Sequence, residues 1–325
     1  MTALSVCVGL TVSFAAAALI ARALIPVFKK KNFTRSPLVE RGEALTPGEP
    51  AALFGVIPLT LGFLAGGLAG PIVSGMSGML PVTAFRLFGG MIFALLAALA
   101  GGLDDWRAFR GGSVHPIVTF ALYAVIVRFY TALLTAGGDR SDILVLPFFG
   151  QADLGVAYDI LCFLLLLGSC YGGGVRTEAE DMAATSALIA GFSLAAAGGI
   201  LKSVPAAVIG ASLAGCALGG LIFGFPPAKI FWGRGGCVLF GAASAAAAMG
   251  CGVPALLIPA ALPLFFEGVY ALARLIVFAF AGKECPMSFS GWLCSTGLSY
   301  RAVSLINLII SLAGAVLTVF SAAKI

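Results

Sequence analysis

Two adjacent acidic residues, Asp104 and Asp105, close a long apolar stretch of this sequence. Neighbouring carboxylates at a membrane surface repel each other, and the repulsion is relieved when they bind a divalent cation, take up a proton or pair with bases. The pair is therefore a candidate for metal binding or acid–base chemistry. The alternative is a solvated helix end whose acids pair with Arg107 and Arg110.

A basic, glycine-rich segment forms the second candidate. Prolines after Gly224 stop one helix, and Lys229, Gly233, Arg234 and Gly236 precede or open the next apolar run. Backbone amides at a helix start, combined with two cations, are suited to hold a phosphate group. An ordinary positively charged loop on the cytoplasmic side of a membrane has the same composition, so both interpretations stay open.

The third candidate is the segment 171–183, which is first glycine-rich and then acidic. It carries Arg176, Glu178, Glu180 and Asp181. Three carboxylates between two apolar runs are a candidate metal site. They are equally typical of a solvated cap on the following helix, because acidic residues in a first turn interact favourably with the helix dipole.

The elements that position these residues must be membrane helices, because the composition excludes a soluble protein. Apolar residues make up 60% of the 325 residues and charged residues 10%, against about 45–50% and about 25% in soluble proteins. So few charges cannot cover a soluble surface. The net charge of +5 is dispersed beside apolar runs, which favours contact with a membrane surface and argues against nucleic acid.

The sequence predicts an all-α, polytopic membrane protein with a single domain over residues 1–325. A span needs about twenty mostly apolar residues, and its backbone must be helical because lipid offers no hydrogen-bond partners. Ten runs meet this description: 3–28, 51–71, 80–103, 114–136, 155–174, 182–200, 204–224, 237–250, 253–281 and 302–323. Charges within or beside them, at Arg128, Asp159, Glu267 and Arg274, are costly in lipid and are further functional candidates.

The distribution of Lys and Arg predicts the orientation. Basic residues concentrate in the odd-numbered loops, whereas the even-numbered loops hold little more than Arg140 and Lys202. Because positive residues accumulate on the cytoplasmic side, both termini should face outward and all three candidate segments inward. With one histidine, His115, a four-ligand zinc site is not expected, and the cysteines are interpreted as packing residues.

Together the candidate loops resemble the polyprenyl-phosphate N-acetylhexosamine-1-phosphate transferase superfamily (glycosyl transferase family 4), and most closely its phospho-N-acetylmuramoyl-pentapeptide transferase branch. Asp104 and Asp105 match the family's Asp pair, and the stretch from Pro227 to Gly241 aligns without a gap to the family's Pro-Ala-Lys-Val-Phe-Met-Gly-Asp-Thr-Gly-Ser-Leu segment. The resemblance extends from about residue 29 to 310.

This resemblance implies a transferase of the bacterial inner membrane with cytoplasmic catalytic loops. Such an enzyme moves a phospho-N-acetylmuramoyl-pentapeptide, or a related N-acetylhexosamine phosphate, from a UDP-sugar to undecaprenyl phosphate with Mg²⁺ in peptidoglycan and cell-wall synthesis. The implied catalytic and metal-binding residues are Asp104, Asp105, Glu178, Glu180 and Asp181. The implied substrate- and phosphate-binding residues are Arg176, Lys229, Gly233, Arg234 and Gly236.

The sequence departs from the family at positions that carry the chemistry. Arg234 stands where the family has a magnesium-binding aspartate, and Tyr171 and Gly174 stand where it has two asparagines. Magnesium takes oxygen ligands, so a guanidinium cannot replace the aspartate as a ligand, although it can bind phosphate.

Two hypotheses follow. The chain is a divergent transferase, or it is a catalytically degenerate relative that binds polyprenyl phosphate or a nucleotide sugar, or scaffolds envelope-synthesis proteins. The expected partners are undecaprenyl phosphate, a UDP-sugar, the lipid bilayer, and either a second copy of the chain or an envelope-synthesis complex. An unrelated transporter is a third, weaker reading of the same charges.

Overall fold

The protein is a bundle of α-helices. The computed structural model describes residues 2–35, 39–40, 43–44, 51–74, 80–112, 114–139, 143–146, 150–175, 180–225, 227–281 and 288–325. In these ranges the helices are α1 (Thr2–Lys30), α2 (Val56–Ser74), α3 (Pro81–Phe109), α4 (Pro116–Ala136), α5 (Val156–Val175), α6 (Glu180–Ile200), α7 (Val204–Gly224), α8 (Gly233–Gly250), α9 (Leu257–Ala260), α10 (Leu262–Ala281), α11 (Phe289–Ser295) and α12 (Tyr300–Lys324).

Eight of the helices among these described residues are long and apolar enough to cross a membrane. They are Ala3–Lys30, Val56–Val73, Pro81–Phe109, Ile117–Ala136, Val156–Gly174, Glu180–Ile200, Val204–Gly224 and Tyr300–Lys324. The prediction of an all-α, multi-pass membrane protein is confirmed at this level. The count of ten spans and the outward orientation of both termini stay predictions.

Helix α8 lies at the centre of the bundle and is enclosed by protein. It packs against α3, α5, α6 and α7, and every residue from Gly235 to Gly250 is buried. Its sequence is rich in Ala and Gly, and such small residues let neighbouring helices approach closely. A helix covered on all sides needs no large apolar side chains facing lipid, which explains the Ala- and Gly-rich composition of the eighth predicted run; the helix itself is 18 residues long.

Two predicted runs fold differently from one continuous helix. In the second run, residues 51–52 form a strand and the helix starts at Val56. The ninth run is divided into a short 3₁₀ helix (Pro254–Leu256), α9 and α10. Prolines at Pro254, Pro259 and Pro263 explain this division, because proline cannot donate the backbone hydrogen bond that continues a helix.

Short strands connect the ends of several helices. Strand β1 (Thr34–Arg35) pairs with β4 (Ala51–Ala52), while β2 (Val39–Glu40) pairs with β3 (Glu43–Ala44). Ala52 also forms a parallel bridge with Ile230. The Ala52 N–H donates to the Lys229 carbonyl at 3.0 Å, and the Phe231 N–H donates to the Ala52 carbonyl at 2.8 Å. The end of α1 and the starts of α2 and α8 therefore lie at one end of the bundle.

The opposite end of the bundle is held by different contacts. Strands β5 (Ile143–Leu146) and β6 (Gly150–Asp153) form an antiparallel hairpin there. Arg86, near the start of α3, donates two hydrogen bonds of 2.6 Å to the Asp139 carboxylate just beyond α4. The Ser203 hydroxyl donates to the Gly250 carbonyl at 2.6 Å, which links the start of α7 to the end of α8.

Candidate functional site

Four carboxylates and one guanidinium meet where α3 and α5 end and where α6 and α8 begin. We call Asp104, Asp105, Glu180, Asp181 and Arg234 the charged cluster. All four acids are in helices and buried or largely buried, and three of them are between 7% and 8% exposed: Asp104, Glu180 and Asp181. The structure therefore brings together residues from the three segments that the sequence marks as candidates.

Asp105 and Glu180 cap the start of α8. Asp105 accepts hydrogen bonds from the backbone N–H groups of Arg234, at 2.8 Å, and Gly235, at 2.9 Å. Glu180 accepts from the backbone N–H groups of Trp232 and, at 3.2 Å, Gly233. The first N–H groups of a helix have no partner within it. Two carboxylates from other helices satisfy them here and also interact favourably with the helix dipole.

Gly233 permits this close approach of Asp105. Its φ of +68° lies in the left-handed region, where glycine is favoured over other residues. A Cβ atom at this position would lie 2.7 Å from Asp105 Cγ, inside van der Waals contact. Gly233 therefore permits the cap geometry, and its role in phosphate binding stays a prediction.

Trp232 anchors the residues before α8. It is 0% exposed and fits between glycines. A Cβ atom on Gly55 would lie 2.5 Å from Trp232 Cε3, and one on Gly236 would lie 2.6 Å from Trp232 Cβ. The position of Gly236 is thus explained by packing against this indole, and the start of α8 is fixed from both its side chains and its backbone.

Arg234 divides its donors between two groups. One terminal nitrogen forms an ion pair with Asp104, and Nε donates to the Gly174 carbonyl at 3.2 Å. The Arg234 side chain is 28% exposed, whereas that of Asp104 is 11% exposed. The guanidinium is therefore the accessible member of the pair, and the carboxylate lies behind it.

Asp181 is tied to a different helix. The Tyr300 hydroxyl, at the start of α12, donates a hydrogen bond to its carboxylate. Further along α12, the Asn307 amide donates to the Ser186 hydroxyl at 3.0 Å and to the Met182 carbonyl at 3.3 Å, and both of these acceptors are on α6. These contacts hold α6 against α12, so Asp181 belongs to a helix–helix interface.

These residues do not fit a magnesium ion as they are arranged. Mg²⁺ requires about six oxygen ligands in near-octahedral geometry. Asp104 is engaged by a guanidinium, Asp105 and Glu180 by backbone N–H groups, and Asp181 by a phenol. A metal would have to displace these donors beside a fixed positive charge. The arrangement therefore does not support a reaction step that depends on magnesium.

Several sequence-based interpretations change in detail. The alternative pairing of Asp104 and Asp105 with Arg107 and Arg110 is not found among the described residues: Asp104 pairs with Arg234, Asp105 accepts from backbone N–H groups of α8, and Arg110 lies over the Trp106 ring at 4.7 Å. Glu180 lies in the first turn of α6, as the alternative interpretation held, but it is buried and also caps α8. Lys229 is exposed and contributes backbone hydrogen bonds to the strand pairing. Arg176 and Glu178 lie outside the described residues.

Of the candidates in the apolar runs, Glu267 has a structural explanation. It is 1% exposed and accepts hydrogen bonds from the Phe289 N–H at 2.6 Å and the Ser290 hydroxyl at 2.7 Å. It therefore holds α11 against α10. Arg128 and Asp159 are exposed, and the side chain of Arg274 lies outside the described part of the chain.

Sequence reasoning missed Tyr300 and Tyr123 as neighbours of the charged cluster. Tyr123, on α4, is 1% exposed and lies near Arg234 and Asp104. A tyrosine in an apolar run gives no local signal that it faces a charge. Only the packing of α4 beside α3 and α5 places it there.

An apolar groove opens beside the charged cluster. It has a volume of about 560 Å³ and lies between α4, α5 and α10, with Phe120, Leu164, Leu167, Tyr171, Leu264 and Phe265 among its lining residues. Leu164 and Val269 in its walls are 57% and 64% exposed, so the groove opens on the lateral surface of the bundle. Tyr171 lies three residues before Gly174 and is close to Arg234.

No family model matches this chain, and a search of curated proteins finds no match to it.

Proposed function

We propose that this protein binds a polyprenyl phosphate such as undecaprenyl phosphate, with the lipid chain in the lateral groove and the phosphate at Arg234, without a divalent metal. The chain would be a relative of the polyprenyl-phosphate sugar-phosphate transferases of the bacterial inner membrane in which an internal cation has replaced the metal. The observation that carries the proposal is the Arg234–Asp104 ion pair close to Tyr171, which lines an apolar, laterally open groove.

The groove supports an amphiphilic lipid as the ligand. Its walls are aliphatic and aromatic side chains, and its open side faces the region that eight apolar helices assign to the bilayer. Tyr171 and Phe120 meet at its rim with ring centroids 6.4 Å apart. A lipid chain that enters from the bilayer can therefore lie along α5 and end next to the charged cluster.

The charges support an anionic head group. Arg234 is the exposed member of its ion pair, and Arg107, Arg110 and Lys229 are exposed near the same end of the bundle. The buried acids are each engaged by donors of the protein, so they present little free negative charge. Arginine forms strong, charge-assisted hydrogen bonds with phosphate oxygens.

Transfer of a sugar phosphate from a UDP-sugar to the bound lipid is the second candidate function. It is favoured by one observation: Asp104, Asp105, Glu180 and Arg234 converge from distant parts of the chain at the place where the resemblance puts catalysis. In that case the cluster would have to rearrange to accept magnesium, and the transfer would release UMP from the UDP-sugar.

Binding of undecaprenyl phosphate and release of UMP can be measured on the same preparation. Wild-type protein in lipid nanodiscs should bind undecaprenyl phosphate in excess EDTA, with undecaprenol as the matched lipid that lacks phosphate. Arg234→Met should weaken binding about 10- to 100-fold, the range expected when a hydrogen bond to a charged group is lost. Arg234→Lys keeps the charge and should lose less.

Three results would overturn the proposal. They are equal binding of undecaprenol, loss of binding on chelation, and equal affinities of wild-type protein and Arg234→Met. Release of UMP from a UDP-N-acetylhexosamine donor with magnesium, but not with EDTA, would establish the second candidate in its place. Arg86→Met is the matched control, because it removes the arginine of the ion pair at the opposite end.

A further inference from the structure

The hydroxyl of Tyr123 is a buried donor without an acceptor. The side chain is 1% exposed, and its oxygen has no hydrogen-bond partner among the residues that the structure describes. A buried hydroxyl that makes no hydrogen bond is unfavourable, and such a group in a folded protein needs an explanation. Its surroundings offer one, because Arg234, Asp104 and Asp105 lie near it, together with the Cys170 thiol.

Helix geometry places Tyr123 at the depth of Asp104. Asp104 lies five residues before the end of α3, and Tyr123 lies seven residues after the start of α4, which follows it at the same end of the bundle. At a rise of about 1.5 Å per residue, these positions are about 8 and 10 Å from that end. Since α3 and α4 pack against each other, the phenol and the carboxylate lie at similar depths on neighbouring helices.

Binding of a phosphate by Arg234 creates a problem for Asp104. The carboxylate is 8% exposed, and the ion pair with Arg234 is its one hydrogen-bonding contact found in the described part of the chain. If the guanidinium turns toward a ligand, a buried carboxylate remains without a partner, which is strongly unfavourable. Binding therefore needs a second donor for Asp104.

We propose that Tyr123 is this second donor: its hydroxyl takes over Asp104 when Arg234 turns to the lipid phosphate. The inference rests on the proposed function and makes Tyr123 a positioning residue, because it acts on the ligand through Arg234 and Asp104. In the free protein Arg234 forms the ion pair with Asp104, and the Tyr123 hydroxyl has no hydrogen-bond partner among the described residues. In the bound protein the phenol satisfies Asp104 and Arg234 satisfies the phosphate, so no buried charge is left alone.

Tyr130 supplies a matched control on the same helix. It lies seven residues further along α4, is 0% exposed, and its hydroxyl also has no partner among the described residues. It lies near Arg86 and Asp139, whose bidentate pair already uses both carboxylate oxygens. Removing the Tyr130 hydroxyl tests the general effect of deleting an unpaired phenol without touching the charged cluster.

The test is a double-mutant cycle on binding of undecaprenyl phosphate to the protein in nanodiscs with EDTA. Tyr123→Phe should weaken binding about 10- to 100-fold, as expected for a lost hydrogen bond to a carboxylate, while the unfolding temperature of the free protein stays unchanged. In an Asp104→Asn background no buried charge needs a new donor, so Tyr123→Phe should change affinity by less than about twofold. Tyr130→Phe should bind like the wild type.

The possible failures are distinguishable. If Tyr123→Phe weakens binding equally with Asp104 and with Asn at that position, the phenol contacts the phosphate directly and the inference is wrong. If wild-type protein binds and Tyr123→Phe binds equally well, the inference is wrong while the proposed function stands. If wild-type protein does not bind the lipid phosphate at all, the proposed function fails and this inference fails with it.

Discussion

The two ends of α3 carry the same kind of ion pair in two different arrangements. At one end Arg86 faces Asp139 with two parallel hydrogen bonds of 2.6 Å, so the fork of the guanidinium matches the carboxylate. At the other end Arg234 gives Asp104 one terminal nitrogen and sends Nε to the Gly174 carbonyl at 3.2 Å. The first pair saturates its carboxylate, and the second divides its donors.

This difference separates a structural contact from a site that can exchange partners. A bidentate pair gains geometric specificity as well as energy, and either partner loses both when it turns away. Arg234 divides its hydrogen bonds between Asp104 and the Gly174 carbonyl, and its side chain is partly exposed near a groove. Asp105 and Glu180 hold the start of α8 and Asp181 accepts from Tyr300, which leaves the guanidinium as the group available to a ligand.

The largest expected effect concerns the packing that sets the position of Gly174. A Cβ atom on Gly173 would lie 2.5 Å from the Cys237 carbonyl oxygen, so Gly173→Ala must push α5 away from α8. We expect a loss of about 3 kcal/mol in the free energy of unfolding, measured by chemical unfolding in detergent. Gly168→Ala is the control on the same helix, since nothing lies within 4 Å of its Cβ position, and equal stability of the two variants would contradict this packing.

The acidic cap at the charged end should matter next. Asp105→Ala leaves the N–H groups of Arg234 and Gly235 without their acceptor, and we expect a loss of about 2–3 kcal/mol in the free energy of unfolding. Asp105→Asn retains one side-chain carbonyl oxygen and should lose less. If the two variants unfold alike and close to the wild type, Asp105 is not the cap of α8.

The ion pair at the opposite end should contribute stability but not binding. Arg86→Met removes two hydrogen bonds from a partly exposed pair whose side chains are 24% and 13% exposed, and we expect a loss of about 1–2 kcal/mol. Affinity for undecaprenyl phosphate should stay at the wild-type value. A parallel loss of affinity would show that the two ends of α3 are coupled, and Arg86–Asp139 would then not be a purely structural contact.

The smallest expected effect is that of Tyr130→Phe on stability. Its hydroxyl has no partner in the described structure, so its removal should change the free energy of unfolding by less than about 0.5 kcal/mol, with stabilisation the favoured sign. Thermal unfolding of the variant beside the wild type checks this. A loss above about 1 kcal/mol in the free energy of unfolding would mean that the Tyr130 hydroxyl forms a stabilising hydrogen bond.

The sequence was sufficient for features that depend on local composition. Apolar runs of membrane-spanning length predicted most of the helices, because the cost of burying a backbone in lipid acts on each segment separately. Residues 51–52 and the prolines between 254 and 263 were the exceptions, where a strand pairing and missing backbone donors interrupt a run. The three candidate segments were also identified from local residue types.

The partners of the charged residues could not be predicted in the same way. The sequence suggested neighbouring arginines for Asp104 and Asp105, yet their partners lie 130 and 129 residues away. Glu180 was a candidate cap for its own helix, and it also caps a helix start 52 residues further on. Tyr123 gave no signal at all, because its relation to Asp104 exists only across a helix interface.

From the sequence alone follow the membrane-helix fold class and the residue types that gather near one end of it, since hydropathy and charge are properties of each residue. Only the tertiary structure decided what those residues do to one another: two acids hold a helix start, and a guanidinium covers a third. The physical reason is that a buried charge must find a donor or a counter-charge, and which one it finds depends on how α3, α6 and α8 pack together.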